Sequence, residues 1–207
     1  MRRSTVGAVA VALVAVALVA MTAQAQPAVN AGTVREGTLR FDGRATAGDF
    51  VGTTSTVRGR LTGGEIANAR GFVEAQVKTL VTGNNRRDRD LNKSMESALY
   101  PLIRFDLDSV TVGDPSRADS TAVTLIGRFT IHGVTKDARI PAWLSISASA
   151  VRVQGTTPLN LKDYRIGGLS KMLGVLKMHP DIVVHLDVTF SQDGATEPAP
   201  FPTPGAP

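Results

Sequence analysis

The segment that most constrains the fold spans residues 121–144 and has the pattern of two strands joined by a tight turn. Small or apolar residues occupy every second position of its first half, namely Val123, Leu125, Gly127, Phe129 and Ile131. Polar residues fill most of the positions between them, as in an antiparallel strand with one buried face. Gly133 follows at the turn, where its lack of a Cβ atom permits positive φ. The segment therefore predicts a β-hairpin with one face in a hydrophobic core.

Six further segments are predicted to be strands, and with the two arms of the hairpin they make eight. They span residues 38–45, 54–62, 72–80, 102–110, 150–161 and 182–190. Most alternate between apolar and polar residues, which predicts an all-β fold with a one-sided antiparallel sheet. Closing such a sheet into a barrel covers its apolar face and removes its exposed edges. A β-sandwich is the alternative that the pattern alone leaves open.

Two segments between the predicted strands lack this alternation. Residues 85–99 are predicted to form a helix between the third and fourth strands, with Asn85 as the N-cap and Asp88 near its N-terminus. Its apolar stripe is expected at Leu91, Met95, Ala98 and Leu99, and Pro101 prevents continuation. Residues 164–180 are predicted to be a short helix or loop over one end of the barrel, before the last strand. Four apolar residues at helical spacing favour this interpretation: Leu169, Met172, Leu173 and Leu176.

The two ends of the chain differ in composition from the part between them. Residues 1–25 begin with Arg2 and Arg3, continue with an apolar run at 6–20 and end in Ala-Gln-Ala, which predicts a cleaved secretory signal peptide. The mature chain is then expected to begin at Gln26, in the periplasm or outside the cell. A membrane anchor is the alternative, but the apolar run is shorter than the ~18 residues that a crossing requires. Residues 26–190 are predicted to be one domain, and the proline-rich residues 191–207 a disordered tail.

Composition argues against several classes of protein. The 207 residues include no cysteine, so disulfide bonds and lipid attachment to a cysteine are excluded. The formal net charge of +5 falls to +3 when the two arginines Arg2 and Arg3 are removed with the leader. This mild charge, together with two Tyr and one Trp, argues against nucleic-acid binding.

The sequence contains no pattern typical of a metal centre or a catalytic nucleophile. The three histidines, His132, His179 and His185, lack partners at the spacing of metal ligands. His132 is expected to hydrogen-bond nearby turn backbone, and His185 to join a solvated cross-strand pair. No serine lies in a G-x-S-x-G context. The sequence therefore predicts no metal, no cofactor and no catalytic residue, and it disfavours an enzyme.

Five stretches of the chain carry distinctive motifs: LRFDGRATAGDFVGTTSTVRGRLTG at 39–63, TGNNRRDRDL at 82–91, YPLIRFDL at 100–107, IHGVTK at 131–136 and LGVLKMHPDIVVHLDVTF at 173–190. In this order along the chain, they resemble motifs of the YceI-like family of periplasmic polyisoprenoid-binding proteins. The resemblance implies an extended lipocalin-like barrel of eight antiparallel strands that binds a polyisoprenoid lipid. Asp90 departs from the family pattern, which often has His at that position, so no role of that histidine carries over.

The favoured hypothesis is a periplasmic or secreted protein that encloses an isoprenoid-type lipid, polyprenyl or quinone-like, for storage, transport or protection from stress. Transient contact with a membrane is expected of such a protein. Candidate lining residues share the apolar faces of the predicted elements: Phe41, Val73, Val77, Leu91, Met95, Ile103, Phe105, Leu125, Phe129, Leu173 and Leu176. The alternatives are a secreted stress or scaffold barrel filled by its own side chains and, with less support, an enzyme that modifies isoprenoids or lipids.

The candidate head-group site is a charged cluster at the N-terminus of the predicted helix, where backbone N–H groups favour anions. It contains three basic residues, Arg86, Arg87 and Arg89, and the candidate head-group residues are Arg87, Asp88 and Arg89. Arg87 and Asp88 match the Arg-Asp pair of the family. The alternative is a solvated surface in which acidic residues neutralise the arginines.

Overall fold

The computed structural model describes residues 28–113, 119–167, 170–171, 176–195 and 197–201. The predicted signal peptide, residues 1–25, lies outside the described residues. Strands make up most of the described chain, and in chain order they are β1 (Ala28–Val29), β2 (Gly32–Gly43), β3 (Phe50–Thr54), β4 (Val57–Leu61), β5 (Gly64–Glu65), β6 (Gly71–Gln76), β7 (Leu102–Val112), β8 (Thr121–Ile131), β9 (Val134–Ile146), β10 (Ala150–Asn160), β11 (Ser170–Lys171), β12 (Leu176–Lys177) and β13 (Asp181–Ser191).

The described residues also contain one α-helix, α1 (Asn85–Ser94), which lies in the chain between β6 and β7. Three short 3₁₀ helices accompany it: Ile66–Asn68, Val77–Thr79 and Leu161–Tyr164. Within the described ranges, we find no helix with the length and hydrophobicity needed to cross a membrane.

Eight strands form a closed antiparallel barrel in the order β2, β4, β6, β7, β8, β9, β10 and β13. The barrel closes because β13 pairs with β2 as well as with β10, with Val184 opposite Phe41. Closure gives hydrogen-bonding partners to backbone groups that would otherwise lie at open sheet edges. The predicted all-β, eight-stranded antiparallel barrel with one helix between its third and fourth strands is confirmed.

The predicted second strand, residues 54–62, is shorter in the structure, where it corresponds to β4, and a separate strand, β3, precedes it. β3 pairs with the second half of β2, whereas β4 pairs with its start. At the break, the Thr54 hydroxyl accepts a hydrogen bond from the Thr56 amide, with an N···O distance of 3.0 Å. This local bond competes with the sheet and turns the chain between β3 and β4.

β8 and β9 form the predicted hairpin, with Ile131 opposite Val134 next to the turn. The turn residues, His132 and Gly133, have φ values of 52° and 72°. Positive φ at both positions is typical of the two-residue turn whose twist matches that of the flanking strands. Glycine accepts this conformation without strain, which explains its position in the sequence.

Helix α1 is capped one residue earlier than predicted. The Asn84 side chain, not that of Asn85, accepts hydrogen bonds from the amides of Arg86 (3.0 Å) and Arg87 (3.1 Å). The helix ends at Ser94, so the predicted stripe does not continue to Leu99, whose surface is 73% exposed. Two adjacent asparagines are equivalent in a sequence pattern, and the backbone selects the one with extended φ and ψ.

The segment 164–180 differs from the predicted helix or loop. β11 and β12 pair in antiparallel orientation, with Ser170 opposite Lys177, and a 3₁₀ helix, Leu161–Tyr164, precedes them. Met178 then forms a bridge with Ala45. Strand pairing therefore replaces the helix that the leucine spacing predicted.

The last strand extends one residue beyond the predicted domain boundary, to Ser191, and the chain continues along the barrel end remote from α1. There the Gly194 amide donates to the Ala31 carbonyl oxygen at 2.9 Å. Further on, the ring of Phe201 lies against Arg58, with 4.2 Å between the guanidinium carbon and the ring centroid. No pattern in the sequence predicts these contacts of Gly194 and Phe201 with the barrel.

Candidate ligand-binding cavity

A cavity of about 440 Å³ opens into the barrel at the end where α1 lies. This volume falls within the range of small-molecule sites in proteins, about 300 to 1,000 Å³. The inward faces of the strands contribute Leu39, Phe41, Phe50, Ile103, Phe129, Ile131, Leu159, Ile182 and Val184. The remaining apolar lining comes from loops, α1 and a 3₁₀ helix: Ala45, Ala47, Leu80, Leu91, Met95, Leu161, Ile166 and Met178. A cavity with this lining favours an apolar chain over a polar molecule.

Polar residues of the cavity wall lie in and next to α1. They are Asn84, Arg86, Arg87, Asp90 and Ser94. Because the N-terminus of a helix carries a partial positive charge, the two arginines and the helix dipole act in the same direction. Asp90 opposes them, so the formal charge of these wall residues is +1. The mouth of the cavity is therefore suited to an anionic or strongly polar group, whereas the interior is apolar.

Arg87 connects the mouth to the apolar wall. Its guanidinium carbon lies 4.2 Å from the centroid of the Phe50 ring. Phe50 in turn meets Phe41 edge to face, with ring centroids 6.0 Å apart. This packing holds the guanidinium group at the edge of the cavity, because the long arginine side chain is supported by an aromatic face.

The side of the mouth opposite α1 is fixed by backbone hydrogen bonds. The His179 amide donates to the Arg44 carbonyl oxygen at 2.8 Å, beside the bridge between Ala45 and Met178. The Leu161 amide donates to the Pro180 carbonyl oxygen at 2.8 Å. These bonds bring the loop after β2 and the segment before β13 together around the opening.

A second cavity of about 20 Å³ lies deeper in the barrel and has room for about one water-sized group. Four residues border both cavities: Leu39, Ile103, Phe129 and Val184. Beyond this small cavity the barrel is filled by its own side chains, with Val151 and Val188 only 1% exposed. The interior therefore has one open end and one closed end.

The predicted lining residues divide between these regions. Phe41, Leu91, Met95, Ile103 and Phe129 lie on the wall of the main cavity, and Val73 and Phe105 border the small one. Val77 and Leu125 border neither. Val77 is fully buried at the start of a 3₁₀ helix, where the alternation of the strand ends. Leu125 lies on β8 four residues before Phe129, toward the closed end of the barrel. Leu173 lies outside the described residues, and for Leu176 the structure describes the strand but not the side chain.

The predicted head-group residues are also separated. Arg87 lies on the cavity wall, but Asp88 and Arg89 do not. The Asp88 carboxylate accepts hydrogen bonds from the amide and hydroxyl groups of Thr82, at 2.8 and 2.6 Å, and so holds the start of the helix. Arg89 is exposed on another face of α1. Arg86, the third arginine of the predicted basic cluster, lies on the cavity wall with Arg87.

The helix geometry explains which charged residues reach the cavity. Positions 86, 87, 90, 91, 94 and 95 share one face of α1, at spacings of one, three and four residues. The apolar stripe of Leu91 and Met95 marks that face in the sequence. Extending the stripe backward by four residues reaches Arg87, and adding its neighbour reaches Arg86, so a helical projection would have identified both.

His132 lies beside the cavity and contacts distant parts of the chain. Its Nδ1 is 3.1 Å from the Tyr164 carbonyl oxygen, and its ring packs against Tyr100 with centroids 4.6 Å apart. Its Nε2 is 3.2 Å from a Glu96 carboxylate oxygen, outside hydrogen-bond geometry. The predicted bond to nearby turn backbone is wrong, because the backbone partner of the ring lies 32 residues away in the chain. Burial raises the pKa of the Tyr164 hydroxyl.

His185 lies on the outer surface of the barrel. Its ring nitrogens are 2.9 Å from an Asp42 carboxylate oxygen and 3.1 Å from the Thr156 hydroxyl, which is the predicted cross-strand arrangement. The hydrogen bond with His185 lowers the pKa of Asp42. Among the described residues, no group of three or more His, Cys, Asp or Glu side chains is arranged to hold a metal ion.

A buried carboxylate stabilises the outer face of the barrel. Glu74 is 3% exposed, and its two oxygens accept hydrogen bonds from Arg58 Nε (2.6 Å) and Arg104 Nη1 (2.9 Å) on the neighbouring strands. Phe72 covers Arg104, with 3.9 Å between the ring centroid and the guanidinium carbon. Both carboxylate oxygens of Glu74 are therefore paired, as a buried charge requires.

A closed antiparallel barrel with an apolar cavity that opens beside a helix defines a lipocalin-like β-barrel protein. The sequence matches the model of the YceI-like domain over residues 30–190. The chain therefore belongs to the YceI-like domain family, as its motifs predicted.

Solved structures share this fold at low sequence identity. A polyisoprenoid-binding domain from Saccharophagus degradans, implicated in plant cell wall breakdown, superposes with a TM-score of 0.63 at 15% identity, covering 79% of this chain and 99% of that chain. Burkholderia cenocepacia BcnA superposes with a TM-score of 0.62 at 11% identity, covering 74% of this chain and 95% of that chain. None of the curated proteins matches the sequence.

Proposed function

We propose that the protein binds an isoprenoid-type lipid, with the apolar tail inside the cavity and a polar head group at Arg86 and Arg87. The observation that carries the proposal is the main cavity itself, which is apolar in its interior and cationic at its mouth. Membership of the YceI-like family and the similarity to a structure described as a polyisoprenoid-binding domain support the same ligand class.

A polyprenyl phosphate or a quinone-like lipid fits this division of the cavity. A phosphate accepts charge-assisted hydrogen bonds from guanidinium groups, and a quinone head group accepts hydrogen bonds through its carbonyl oxygens. The branched hydrocarbon tail contributes through the hydrophobic effect. We favour the phosphate, because two arginines and a helix N-terminus lie together at the opening.

The expected affinity is moderate. About 15 enclosed atoms contribute ~4.5 kcal/mol at the ~0.3 kcal/mol per atom realised by ligands of this size. A hydrogen bond to a charged head group adds about 1.5 to 3 kcal/mol. The sum corresponds to a dissociation constant on the order of 10 μM. This affinity suits a protein that takes up a lipid and releases it again.

We also propose that residues 1–25 are removed, so that the mature protein begins at Gln26 and acts in the periplasm or outside the cell as a carrier or store of the lipid. The pattern of the leader supports this location. The cationic mouth supports transient contact with anionic membranes, from which the lipid would be taken up.

A variant with a smaller cavity tests the proposal. Leu159→Trp places a larger side chain on the cavity wall, so we expect it to bind a prenyl phosphate of three isoprene units at least tenfold more weakly than the unmodified protein. Leu99→Trp is the matched control, because Leu99 is exposed and does not line the cavity. Isothermal titration gives both affinities, and the melting temperature verifies folding. Equal affinity in a folded Leu159→Trp variant would place the ligand elsewhere.

A further inference from the structure

We propose that the cavity selects short isoprenoid tails, of about three isoprene units, and that Phe129 sets this limit from the floor of the cavity. This inference rests on the proposed function and specifies which members of the ligand class fit. It follows from the volume of the main cavity, from the residues that close its inner end and from the packing beneath them.

The volume limits the number of enclosed atoms. A group the size of a water molecule occupies about 30 Å³, so a cavity of about 440 Å³ holds about 15 such groups. Three isoprene units contain the same number of carbon atoms. A fourth unit would extend from the mouth into water and would gain little from the hydrophobic effect.

A layer of side chains forms the floor. On β13, Ile182 borders the main cavity and Leu186 the small one, and Val184, which lies between them on the same face, borders both. Two other strands each contribute one residue that borders both cavities: Phe129 on β8 and Ile103 on β7. The fourth member of the layer is Leu39. This layer of four residues, one each from β2, β7, β8 and β13, spans the barrel between the two cavities.

The space beneath the floor is too small for a further isoprene unit. Phe105 packs against Phe129 with ring centroids 5.5 Å apart. The small cavity, about 20 Å³, is smaller than the ~30 Å³ that one water-sized group occupies, so it holds at most one. Gly37 lies on β2 two residues before Leu39, on the same face of the strand. A Cβ atom added to Gly37 would lie 2.9 Å from Val188 Cγ1, so the side chain of Val188 already fills the space next to this glycine. Among the described residues, the space past Phe129, at the small cavity and beside Gly37, is therefore narrower than a hydrocarbon chain requires.

A length series in the unmodified protein tests the limit. The probes are prenyl phosphates of two, three, four and eight isoprene units, used below their aggregation thresholds. Extending the tail from two to three units should tighten binding about tenfold, because five more atoms are enclosed. Extending it from three to four, and from four to eight, should change the affinity less than twofold. A further tenfold gain at the fourth unit would overturn the limit and leave the proposed function intact. Absence of binding by every probe would overturn both.

Shortening the floor residue should move the limit. Phe129→Leu joins the two cavities, so we expect the variant to bind the four-unit tail about fivefold more tightly than the three-unit tail. Phe190→Leu is the matched control, because Phe190 is equally buried and borders neither cavity, and it should keep the plateau at three units. Ile103→Val, a milder change in the same layer, should shift the preference in the same direction by a smaller factor. A folded Phe129→Leu variant with an unchanged plateau would refute the role of Phe129.

Discussion

Arg87 lies over the ring of Phe50, with its guanidinium carbon 4.2 Å from the ring centroid, and this pair joins α1 to β3 at the mouth of the cavity. The contact fixes a cation where an apolar interior meets solvent. The division into an apolar tail site and a cationic head-group site depends on it.

Replacing this arginine should weaken binding of charged head groups selectively. Arg87→Gln removes one hydrogen-bonding cation, so we expect a prenyl phosphate to bind about tenfold more weakly, since a hydrogen bond to a charged group contributes about 1.5 to 3 kcal/mol. The corresponding prenyl alcohol should lose less than twofold. Isothermal titration of both ligands measures the difference.

Arg89→Gln provides the control for that experiment, because Arg89 belongs to the same helix but does not line the cavity. It should leave both affinities within twofold of the unmodified protein. Similar losses in the two variants would mean that the effect is one of overall charge, and the head-group site would have to be abandoned.

Removal of the buried carboxylate of Glu74 should destabilise the barrel. Glu74→Ala leaves Arg58 and Arg104 without their shared partner, so we expect the free energy of unfolding to fall by about 2 to 4 kcal/mol. Asp108→Ala breaks the exposed pair with Arg128, whose atoms are 3.6 Å apart, and should cost less than about 0.5 kcal/mol. Urea denaturation measures both. A cost below 1 kcal/mol for Glu74→Ala would show that solvent replaces its partners.

The outer-surface pair of Asp187 and Arg152 predicts a specific pH dependence. The hydrogen bonds from Arg152, at 2.8 and 2.6 Å, lower the pKa of Asp187 below its ordinary value of 3.8. The carboxylate therefore stabilises the fold above that ordinary pKa, and this contribution is lost as the pH falls through the lowered pKa of the folded state. Because both side chains are more than a third exposed, the contribution is at most about 1 kcal/mol.

Asp187→Asn isolates this contribution. The variant should be less stable than the unmodified protein at pH 7, and the gap should narrow as the pH falls from about 5 to below 3. Chemical denaturation at several pH values gives the gap directly. A constant gap across that range would assign the effect to packing and not to ionisation.

N-terminal sequencing of protein recovered from the periplasm or the medium tests the proposed location. We expect the first residue to be Gln26, because Ala23 and Ala25 occupy the positions that signal peptidase requires to be small. Recovery of protein that begins at Met1 would contradict cleavage.

Much of the barrel could be predicted from the sequence because strand alternation is a local signal. A period of two places Phe41, Ile103 and Phe129 on the inner face whatever the rest of the chain does. The same signal cannot show which inner-face residues border a cavity and which are packed. Leu125 and Phe129 share a face, yet Phe129 borders the cavity and Leu125 lies in the filled end.

The parts that could not be predicted depend on contacts between distant segments. Ala45 and Met178 border the cavity because they form a bridge across 133 residues of chain, and neither residue has a sequence signal for that pairing. Arg89 does not line the cavity although it belongs to the same basic cluster as Arg86 and Arg87. A helix rotates by about 100° per residue, so Arg89, two residues from both Arg87 and Leu91, lies about 200° around the helix from each of them.

Photo-crosslinking tests the central claim most directly. The probe is a prenyl phosphate of three isoprene units with a diazirine at the end remote from the phosphate, and mass spectrometry of the digested protein locates the label. The account predicts labelling of the floor and adjacent wall, at Phe129, Ile131 and Val184, and its suppression by excess unlabelled ligand. Labelling confined to the outer surface, for example around Arg152, or labelling that excess ligand does not suppress, would contradict binding of the tail inside the barrel.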